Sequence, residues 1–285
     1  MSENELKDLN EVIKPKPQTG LAGVKSVVVV LSGKGGVGKS TVAANLAAGL
    51  AKEGRQVGLL DVDVHGPSIP RLLNLTGSHP VGEGDKLLPV EWDWNLAVMS
   101  LGFLLPNQDD AVIWRGPAKA GVIKQLAEDV AWGDRDVLIV DCPPGTGDEP
   151  LSVMQIFGPK AMAVIVTSPQ DVAVDDVRRS VSFCRQLNNP IIGVIENLSG
   201  FVCPNCGAVH DIFRSGGGER MADEMYVPFL GRIPIDPEVA RSGDAGDVSL
   251  AVTGKGPAAE AFQGIIAKID AAVTAQNAEQ EKATK

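Results

Sequence analysis

A glycine-rich segment near the start of the chain most constrains what this sequence can fold into. It reads LSGKGGVGKSTVAANLA, and within it Gly33, Gly38, Lys39 and Ser40 satisfy the pattern G-x-x-x-x-G-K-[ST]. A β-branched run over Val27–Leu31 precedes the pattern, and an alanine-rich stretch that favours a helix follows it. A strand, a glycine loop and a helix in this order are typical of a phosphate-binding loop, or P-loop, whereas a glycine-rich turn with a chance lysine is the weaker alternative.

Each part of this loop has a chemical role toward a nucleotide. Glycines let backbone N–H groups wrap phosphates, and the N-terminus of the following helix adds partial positive charge. We expect Lys39 to meet the β- and γ-phosphates and Ser40 to hold Mg²⁺, as in other proteins that bind and hydrolyse ATP. The predicted nucleotide-binding residues of this loop are Gly33, Lys34, Gly35, Gly36, Val37, Gly38, Lys39, Ser40 and Thr41.

Hydrophobic periodicity predicts the fold around the loop. Apolar runs like the first recur at residues 57–60, 137–140, 161–166 and 191–195, and helical patterns intervene, as at 41–52 and 172–187. Alternating strands and helices predict an α/β fold with a doubly wound, mostly parallel sheet flanked by helices. Ligands of such sheets bind beyond the carboxyl ends of the strands. We predict one ATPase domain over residues 24–275, a flexible tail over 1–23 and a polar tail over 276–285.

Acidic residues follow two of the other predicted strands. Asp61 and Asp63 end the second strand in LLDVDVHGPS, and Asp141 follows four apolar residues in VLIVDCPPGTGDEP. The second pattern predicts that Asp141 binds Mg²⁺ through water and that PPGTGD senses the γ-phosphate. Aspartates that merely cap the following turns are the alternative.

The chain has four cysteines, and only Cys203 and Cys206 have the spacing of metal ligands, in CPNCG. Cys142 and Cys184 are expected to be packed as small apolar residues. Three interpretations of the pair stay open. The two cysteines could form a redox pair, or they could bind zinc within one chain with His210 as third ligand. The third interpretation is a four-thiolate site to which each of two subunits contributes the pair. Such a site suits a 4Fe–4S cluster or zinc.

Several motifs together resemble a known family. In order along the chain they are GKGGVGKST, DVDVHGPS, MSLGFLL, WRGPAK, DCPPGTGD, GVIENLSGFVCPNCG and GRIPID. This set closely resembles the Mrp/ApbC iron–sulfur cluster carriers over residues 24–272, and the loop resembles the deviant Walker A motif of the nitrogenase iron-protein, MinD and ParA class. The sequence carries neither the small acidic domain that precedes the ATPase in many bacterial members nor the N-terminal four-cysteine motif of the eukaryotic cytosolic scaffold. We therefore expect a minimal member.

The resemblance implies roles for single residues. Lys34 would reach the nucleotide of a partner subunit, Asp63 would orient the attacking water, and Asn197 would read the edge of adenine. Cys203 and Cys206 of two subunits would bridge a 4Fe–4S cluster, which the homodimer passes to recipient apo iron–sulfur proteins. The alternatives are a solvated lysine for Lys34 and an asparagine that closes a turn for Asn197.

Charge and hydropathy limit the partners. There are 26 Lys and Arg against 36 Asp and Glu, a net charge of −10, which argues against nucleic acid and against an anionic membrane. No apolar stretch reaches the length of a membrane span, and the first residues lack the apolar region of a secretory signal, so we expect a cytoplasmic protein.

The runner-up functions are a positioning ATPase of the ParA or MinD kind and a zinc-stabilised metallochaperone of the same fold. A positioning ATPase that binds membranes ends in a basic amphipathic helix. The chain does have an apolar stripe near its end, but the other face of that segment is poor in lysine and arginine, so we expect the stripe to pack in the core. The stripe consists of Phe262, Ile265, Ile266, Ile269 and Val273.

Overall fold

The computed structural model of the chain describes residues 20–63, 66–93, 95–105, 116–248 and 253–283. The strands are β1 Val24–Ser32, β2 Val57–Asp61, β3 Val81–Glu83, β4 Lys86–Leu88, β5 Val90–Asp93, β6 Leu96–Ser100, β7 Arg135–Asp141, β8 Ala161–Thr167, β9 Ile191–Glu196, β10 Phe201–Val202, β11 Val209–His210 and β12 Phe229–Arg232. The α-helices are α1 Lys39–Lys52, α2 Ile69–Leu72, α3 Gly116–Glu128, α4 Asp148–Phe157, α5 Asp171–Gln186, α6 Gly217–Glu224, α7 Pro237–Ala245 and α8 Pro257–Ala283.

Eight strands form the central sheet in the order β12-β9-β8-β1-β7-β2-β6-β5. All neighbours pair in parallel except β5, which runs antiparallel to β6. Helices flank this sheet, so the doubly wound, mostly parallel sheet predicted from the apolar runs is confirmed, with all five predicted strands in it. The strands β6 and β12, which we did not predict, extend the sheet on either side.

Burial on both faces explains why polar and apolar residues do not alternate along the central strands. The last seven residues of β1 and every residue of β2 and β8 are buried, as expected for parallel strands covered on both faces. The helix α1 is buried along most of its length. Its alanine side chains are small, so the helix packs closely against β1, β2 and β7. The helix that follows the P-loop is therefore held rigidly against the sheet.

The structure describes the chain on both sides of the predicted domain ends. Residues 20–23 form a turn, in which the N–H of Gly20 donates to the carbonyl of Glu128 at 2.7 Å, while residues 1–19 of the predicted tail lie outside the described residues. The helix α8 continues past residue 275 to Ala283, and its Asn277 hydrogen-bonds Ser26 of β1.

The strand order brings the predicted site residues to one edge of the sheet. The P-loop follows β1, which lies between β7 and β8, and the paired residues Asp61 and Asp141 end the adjacent strands β2 and β7. On the other side of β1, Thr167 ends β8 and is paired with Glu196 at the end of β9. Loops that emerge from these strand ends therefore lie side by side.

Candidate functional site

The P-loop is shaped by glycines that have no room for a side chain or that need a left-handed backbone. Gly36 and Gly38 both have φ of +82°, a conformation that L residues rarely adopt. A Cβ atom on Gly38 would lie 2.3 Å from the amide nitrogen of Asn197, and one on Gly33 would lie 2.5 Å from the Cβ of Asp176 in α5. Gly36 instead faces open space, with no atom within 4 Å of such a Cβ. The loop is thus packed from below and open above, which fits a cradle for phosphates.

Lys39 lies at the centre of this site, and its side chain is only 6% exposed. Its ammonium is 2.5 Å from Oδ1 of Asp141, 3.3 Å from Oγ of Ser40 and 3.7 Å from Oδ2 of Asp63. Burial alone lowers the pKa of Lys39, but the charge and hydrogen bond of Asp141 and the charge of Asp63 outweigh it and raise the pKa. Lys39 therefore stays an ammonium. The structure brings together four residues that three separate motifs predicted.

Asp141 has one carboxylate oxygen to spare. The residue is fully buried at the end of β7, and its Oδ2 has no hydrogen-bond partner in the part of the chain that the structure describes. Burial raises the pKa of Asp141, and the adjacent Lys39 and Ser40 oppose the rise. A buried oxygen without a donor is costly, so a further cation or water is expected to meet it. The donor set of Asp141 and the Ser40 hydroxyl fits a water-coordinated Mg²⁺.

Asp61 and Asp63 have different surroundings, although they lie two residues apart. Asp61 is fully buried and accepts hydrogen bonds from the N–H of Asp63 at 3.1 Å, the N–H of Ile69 at 3.3 Å and the hydroxyl of Ser100 at 2.9 Å. Burial and the charge of Asp141 raise the pKa of Asp61 to about 8. The turn-capping alternative therefore fits Asp61, which supports the turn that holds Asp63 beside Lys39.

Asn197 contacts the P-loop directly. Its side-chain amide donates to the carbonyl of Val37 at 2.9 Å, and its backbone N–H donates to the carbonyl of Thr167 at 2.8 Å. The side chain is largely buried between the end of β9 and the loop. This bond makes Asn197 a support of the P-loop backbone, and reading of adenine by the same side chain stays a prediction.

Lys34 differs from Lys39 in its surroundings. Its backbone carbonyl accepts a hydrogen bond from the Ser32 hydroxyl at 3.0 Å, while its side chain is partly exposed. Within the described ranges no carboxylate forms an ion pair with the Lys34 ammonium. The loop backbone at Lys34 is thus fixed, and a role of its ammonium toward a second subunit stays a prediction.

Cys203 and Cys206 lie on a small hairpin, residues 201–210, that we call the cysteine hairpin. Strands β10 and β11 pair antiparallel. The N–H of Cys203 donates to the carbonyl of Ala208, and the N–H of Gly207 donates to the carbonyl of Cys203, both at 2.9 Å, which closes the hairpin turn. Cys206 is exposed and Cys203 is partly exposed. The backbone N–H groups of Asn205 and Cys206 lower the pKa of the Cys203 thiol, which favours the thiolate that binds metals.

The other two cysteines have the opposite character. Cys142 and Cys184 are fully buried, as predicted, and burial raises the pKa of both thiols, that of Cys184 to about 12. No group of three or more His, Cys, Asp or Glu side chains suited to a metal ion occurs among the described residues, so His210 does not complete a site there. Within the described chain, one copy offers two accessible thiols and no third ligand beside them.

Comparison with known protein families shows to which family the chain belongs. Residues 23–270 match the family described as ParA: NUBPL iron-transfer P-loop NTPase, which covers most of the chain. The chain belongs to this family of iron-transfer P-loop NTPases. The match begins at the start of β1 and extends into α8, so it includes the P-loop, the acidic strand ends and the cysteine hairpin.

Relatives of this NTPase span nearly its full length. It is 48% identical over 263 residues to a protein of Nematostella vectensis named cytosolic Fe-S cluster assembly factor NUBP2 homolog, covering 90% of this chain and 97% of that one. It is 46% identical over 254 residues to the iron-sulfur cluster carrier protein of Methanocaldococcus jannaschii, covering 89% and 87% of the two chains. A solved nucleotide-binding protein of Archaeoglobus fulgidus, in complex with ADP and with Co found, is 38% identical, with a TM-score of 0.73 over 85% of this chain and 93% of that one.

The C-terminal helix of this NTPase does not present its apolar stripe to a solvent or a membrane. The whole stripe from Phe262 to Val273 is buried, because α8 packs on α1, β1 and β12. The expectation that the stripe belongs to the core is therefore confirmed. Among the described residues no helix has the length and apolarity to cross a membrane.

Sequence reasoning missed two residues that shape the site. Ser100 ends β6 and donates to Asp61, and Glu196 ends β9 with its carboxylate fully buried. Each is a polar residue directly after an apolar strand, which is the same signal that identified Asp61 and Asp141. Applied to every strand end, that signal would have found both.

Proposed function

We propose that this NTPase is an ATP-hydrolysing iron–sulfur cluster carrier, whose two-thiol hairpin shares a 4Fe–4S cluster with a second copy and passes it to recipient apoproteins. The observation that carries the proposal is the pair of accessible thiols on a hairpin that has no third ligand in the described chain. The names of the relatives from Nematostella vectensis and Methanocaldococcus jannaschii support iron–sulfur chemistry at this site.

The nucleotide site derives its chemistry from the residues at the strand ends. ATP phosphates would occupy the open side of residues 33–41, where Lys39 exchanges Asp141 for the β- and γ-phosphates. Mg²⁺, when bound, neutralises charge on the phosphates. Ser40 would bind it directly and Asp141 through water. Asp63, which Asp61 holds beside Lys39, is positioned to orient the attacking water.

Hydrolysis is proposed to be slow because one charge is missing from the site of an isolated subunit. A cation aimed at the transferred phosphoryl group from a second molecule greatly accelerates such reactions. Lys34 is partly exposed in the same loop and has no ion-pair partner in the described chain, so it suits this role toward the nucleotide of the second copy. Turnover would then depend on the dimer.

The cluster is the cargo of this dimer. Cys203 and Cys206 of each copy supply two of the four thiolates that a 4Fe–4S cluster takes. Three large apolar side chains around the hairpin are exposed to an unusual degree, Val209 by 69%, Ile212 by 56% and Phe213 by 44%. Such side chains favour coverage by a second copy. A cluster held near the surface by two thiolates of each copy is also accessible to an acceptor protein, so cluster transfer does not require the carrier to unfold.

The partners and the location follow from the same proposal. Recipients are apo iron–sulfur proteins, and nucleic acid and membrane are not partners, which agrees with the net charge of −10. The cytoplasm is the proposed location, supported by the word cytosolic in the name of the Nematostella vectensis relative.

Anaerobic reconstitution with iron and sulfide tests the proposal. We expect about four irons and four acid-labile sulfides per dimer. Cys203→Ala should abolish the cluster, and the buried Cys184→Ala, a change of the same kind outside the hairpin, should retain it. A monomer that holds a full cluster, or a stoichiometric zinc ion that iron does not displace, would contradict the proposal and favour the zinc metallochaperone.

A further inference from the structure

A single buried carboxylate closes the base of the segment that carries the cysteine hairpin. Glu196 is fully buried at the end of β9. Its Oε1 accepts from the N–H of Gly216 at 2.8 Å and from the hydroxyl of Ser199 at 2.5 Å, and its Oε2 accepts from the N–H of Gly218 at 2.5 Å. Ser199 lies before the hairpin, and both glycines lie after it. One side chain therefore joins the two ends of residues 197–215, and we call this arrangement the Glu196 clamp.

The clamp gives a structural reason for three consecutive glycines, Gly216 to Gly218, that belong to none of the nucleotide-binding motifs. The sequence SGGGER spans the start of α6, and Gly216 has φ of +80°, which favours glycine. A Cβ atom on Gly218 would lie 2.8 Å from Cγ2 of Thr167 and 3.1 Å from Oε2 of Glu196. Only residues without side chains let the helix N-terminus approach the carboxylate this closely. The glycines and Glu196 thus form one packed unit.

The segment between the clamp and the hairpin is also fixed to the P-loop and to the residue that follows β12. Asn197 donates to Val37 of the P-loop, and Ser199 donates its N–H to the carbonyl of Ile233 at 2.9 Å. Between them, Leu198 has φ of +58°, a strained value for a branched aliphatic residue that persists only where neighbours hold the backbone. The five residues from Glu196 to Gly200 therefore form a rigid connection from the phosphate site to the base of the hairpin.

We propose that Glu196 is a positioning residue that makes the cysteine hairpin follow movements of the P-loop. Asn197 is bonded to the loop backbone at Val37, so a displacement of that backbone by bound phosphates would be passed to Asn197. The Glu196 clamp transmits the displacement to both ends of the hairpin segment. Without the clamp only the end at residue 197 would move, and the hairpin would pivot on it. This inference rests on the proposed function, and it adds that nucleotide controls how readily the cluster leaves.

The variant Glu196→Gln tests the clamp while keeping the shape of the side chain. A glutamine has one acceptor oxygen, so in either orientation the N–H of Gly216 or that of Gly218 faces an NH₂ group. Glu219→Gln is the matched control, because it removes one carboxylate charge near the clamp but leaves the hydrogen bonds of Glu196 to Gly216 and Gly218 in place. It also controls for Arg232, which pairs with Glu219 and lies 3.9 Å from Oε1 of Glu196. Neither Glu196 nor Glu219 belongs to the nucleotide site.

The decisive readout is a ratio of rates in the cluster-loaded dimer. Release of iron to the chelator bathophenanthroline is followed with and without ATP and Mg²⁺, together with the visible circular dichroism of the cluster. We expect the wild type and Glu219→Gln to show a nucleotide-dependent rate, and Glu196→Gln to show a ratio near one. Amide exchange across residues 201–215 should become about tenfold faster in Glu196→Gln, the effect of losing one hydrogen bond to a charged acceptor. ATP affinity should stay within a few-fold of the wild type.

The inference fails if Glu196→Gln keeps the wild-type ratio, or if the wild type itself shows no dependence on nucleotide. It also fails if ATP affinity and the ratio fall together, because that result would indicate general damage to the fold. Should Glu196→Gln not fold, Gly218→Ala opens the clamp from the other side, since its Cβ must displace Thr167 or Glu196. A cluster that survives Cys203→Ala would instead refute the proposed function, so the two failures can be told apart.

Discussion

Replacing Lys39 with alanine separates two roles of one side chain. In the structure the Lys39 ammonium lies 2.5 Å from Asp141, and both side chains are buried. When nucleotide binds, the ammonium is expected to contact the phosphates instead. The variant should therefore lose both nucleotide affinity and stability of the fold. Breaking a buried ion pair by removing one partner costs about 3–5 kcal/mol of the free energy of unfolding.

The stability loss should depend on pH in a defined direction. Burial raises the pKa of Asp141, and without Lys39 that pKa rises further. Between the pKa of about 3.9 of an unfolded aspartate and this higher value, the folded state binds a proton that the unfolded state has released. Stability of Lys39→Ala therefore falls as pH rises through this interval. The deficit relative to the wild type should be larger at pH 8 than at pH 5.5.

Two measurements check the prediction. Titration with a fluorescent ATP analogue should show affinity about ten- to a hundredfold weaker, since a charge-assisted contact to phosphate contributes about 1.5–3 kcal/mol. Urea unfolding at both pH values gives the stability term. Lys124→Ala is the control, because Lys124 pairs with Glu128 on the exposed face of α3 and should change stability by less than about 1 kcal/mol. Wild-type ATP affinity in Lys39→Ala would refute the P-loop assignment, and an equal stability loss at both pH values would refute the ion-pair argument.

Three further substitutions probe the remaining roles. Asp63→Asn should bind ATP but hydrolyse it about a hundredfold more slowly, because the water loses its orienting group, and full turnover in a phosphate-release assay would contradict that role. Mixing Lys34→Ala with Lys39→Ala subunits should restore part of the ATPase activity if Lys34 acts across the dimer, whereas strictly additive loss would place it in its own site. Ile212→Ser combined with Phe213→Ser should weaken the cluster-loaded dimer about tenfold or more in sedimentation, with ATP binding retained, and an unchanged dimer would show that these side chains do not contact the second copy.

The sequence predicted the P-loop and the sheet because both depend on local patterns. The continuous apolar runs allow few structures other than buried parallel strands, and the glycine positions around Lys39 are dictated by backbone geometry. The partners of buried carboxylates are not local. Glu196 pairs with Gly216 and Gly218, twenty residues or so further along, and nothing in the spacing indicates that pairing. The sequence indicates the proximity of Asp61 and Asp63, but not the hydrogen bond that Asp61 accepts from Ser100 of another strand.

The end of the chain shows a different limit of sequence reasoning. The Ala-, Gln-, Glu- and Lys-rich residues after Thr274 indicate a polar tail by composition. The same residue types have high helix propensity, so they continue a helix that has already been nucleated by its buried stripe. Asn277 then contacts Ser26, which fixes this last part against β1. Composition alone does not show whether a polar segment is attached to a helix that the core already holds.

The strand order accounts for the proximity of the nucleotide and cysteine sites. Only β8 lies between β1 and β9, and neighbouring strands are about 4.8 Å apart, so the P-loop and the segment after β9 leave the sheet about 10 Å from each other. That separation is short enough for one side chain, Asn197, to hydrogen-bond the loop directly. Residues 197–215 lie between β9 and α6, and the Glu196 clamp joins the two ends of this segment at its base. The sheet itself therefore places the base of the hairpin segment beside the P-loop, and the residues predicted to act on the nucleotide lie on other loops, after β1, β2 and β7.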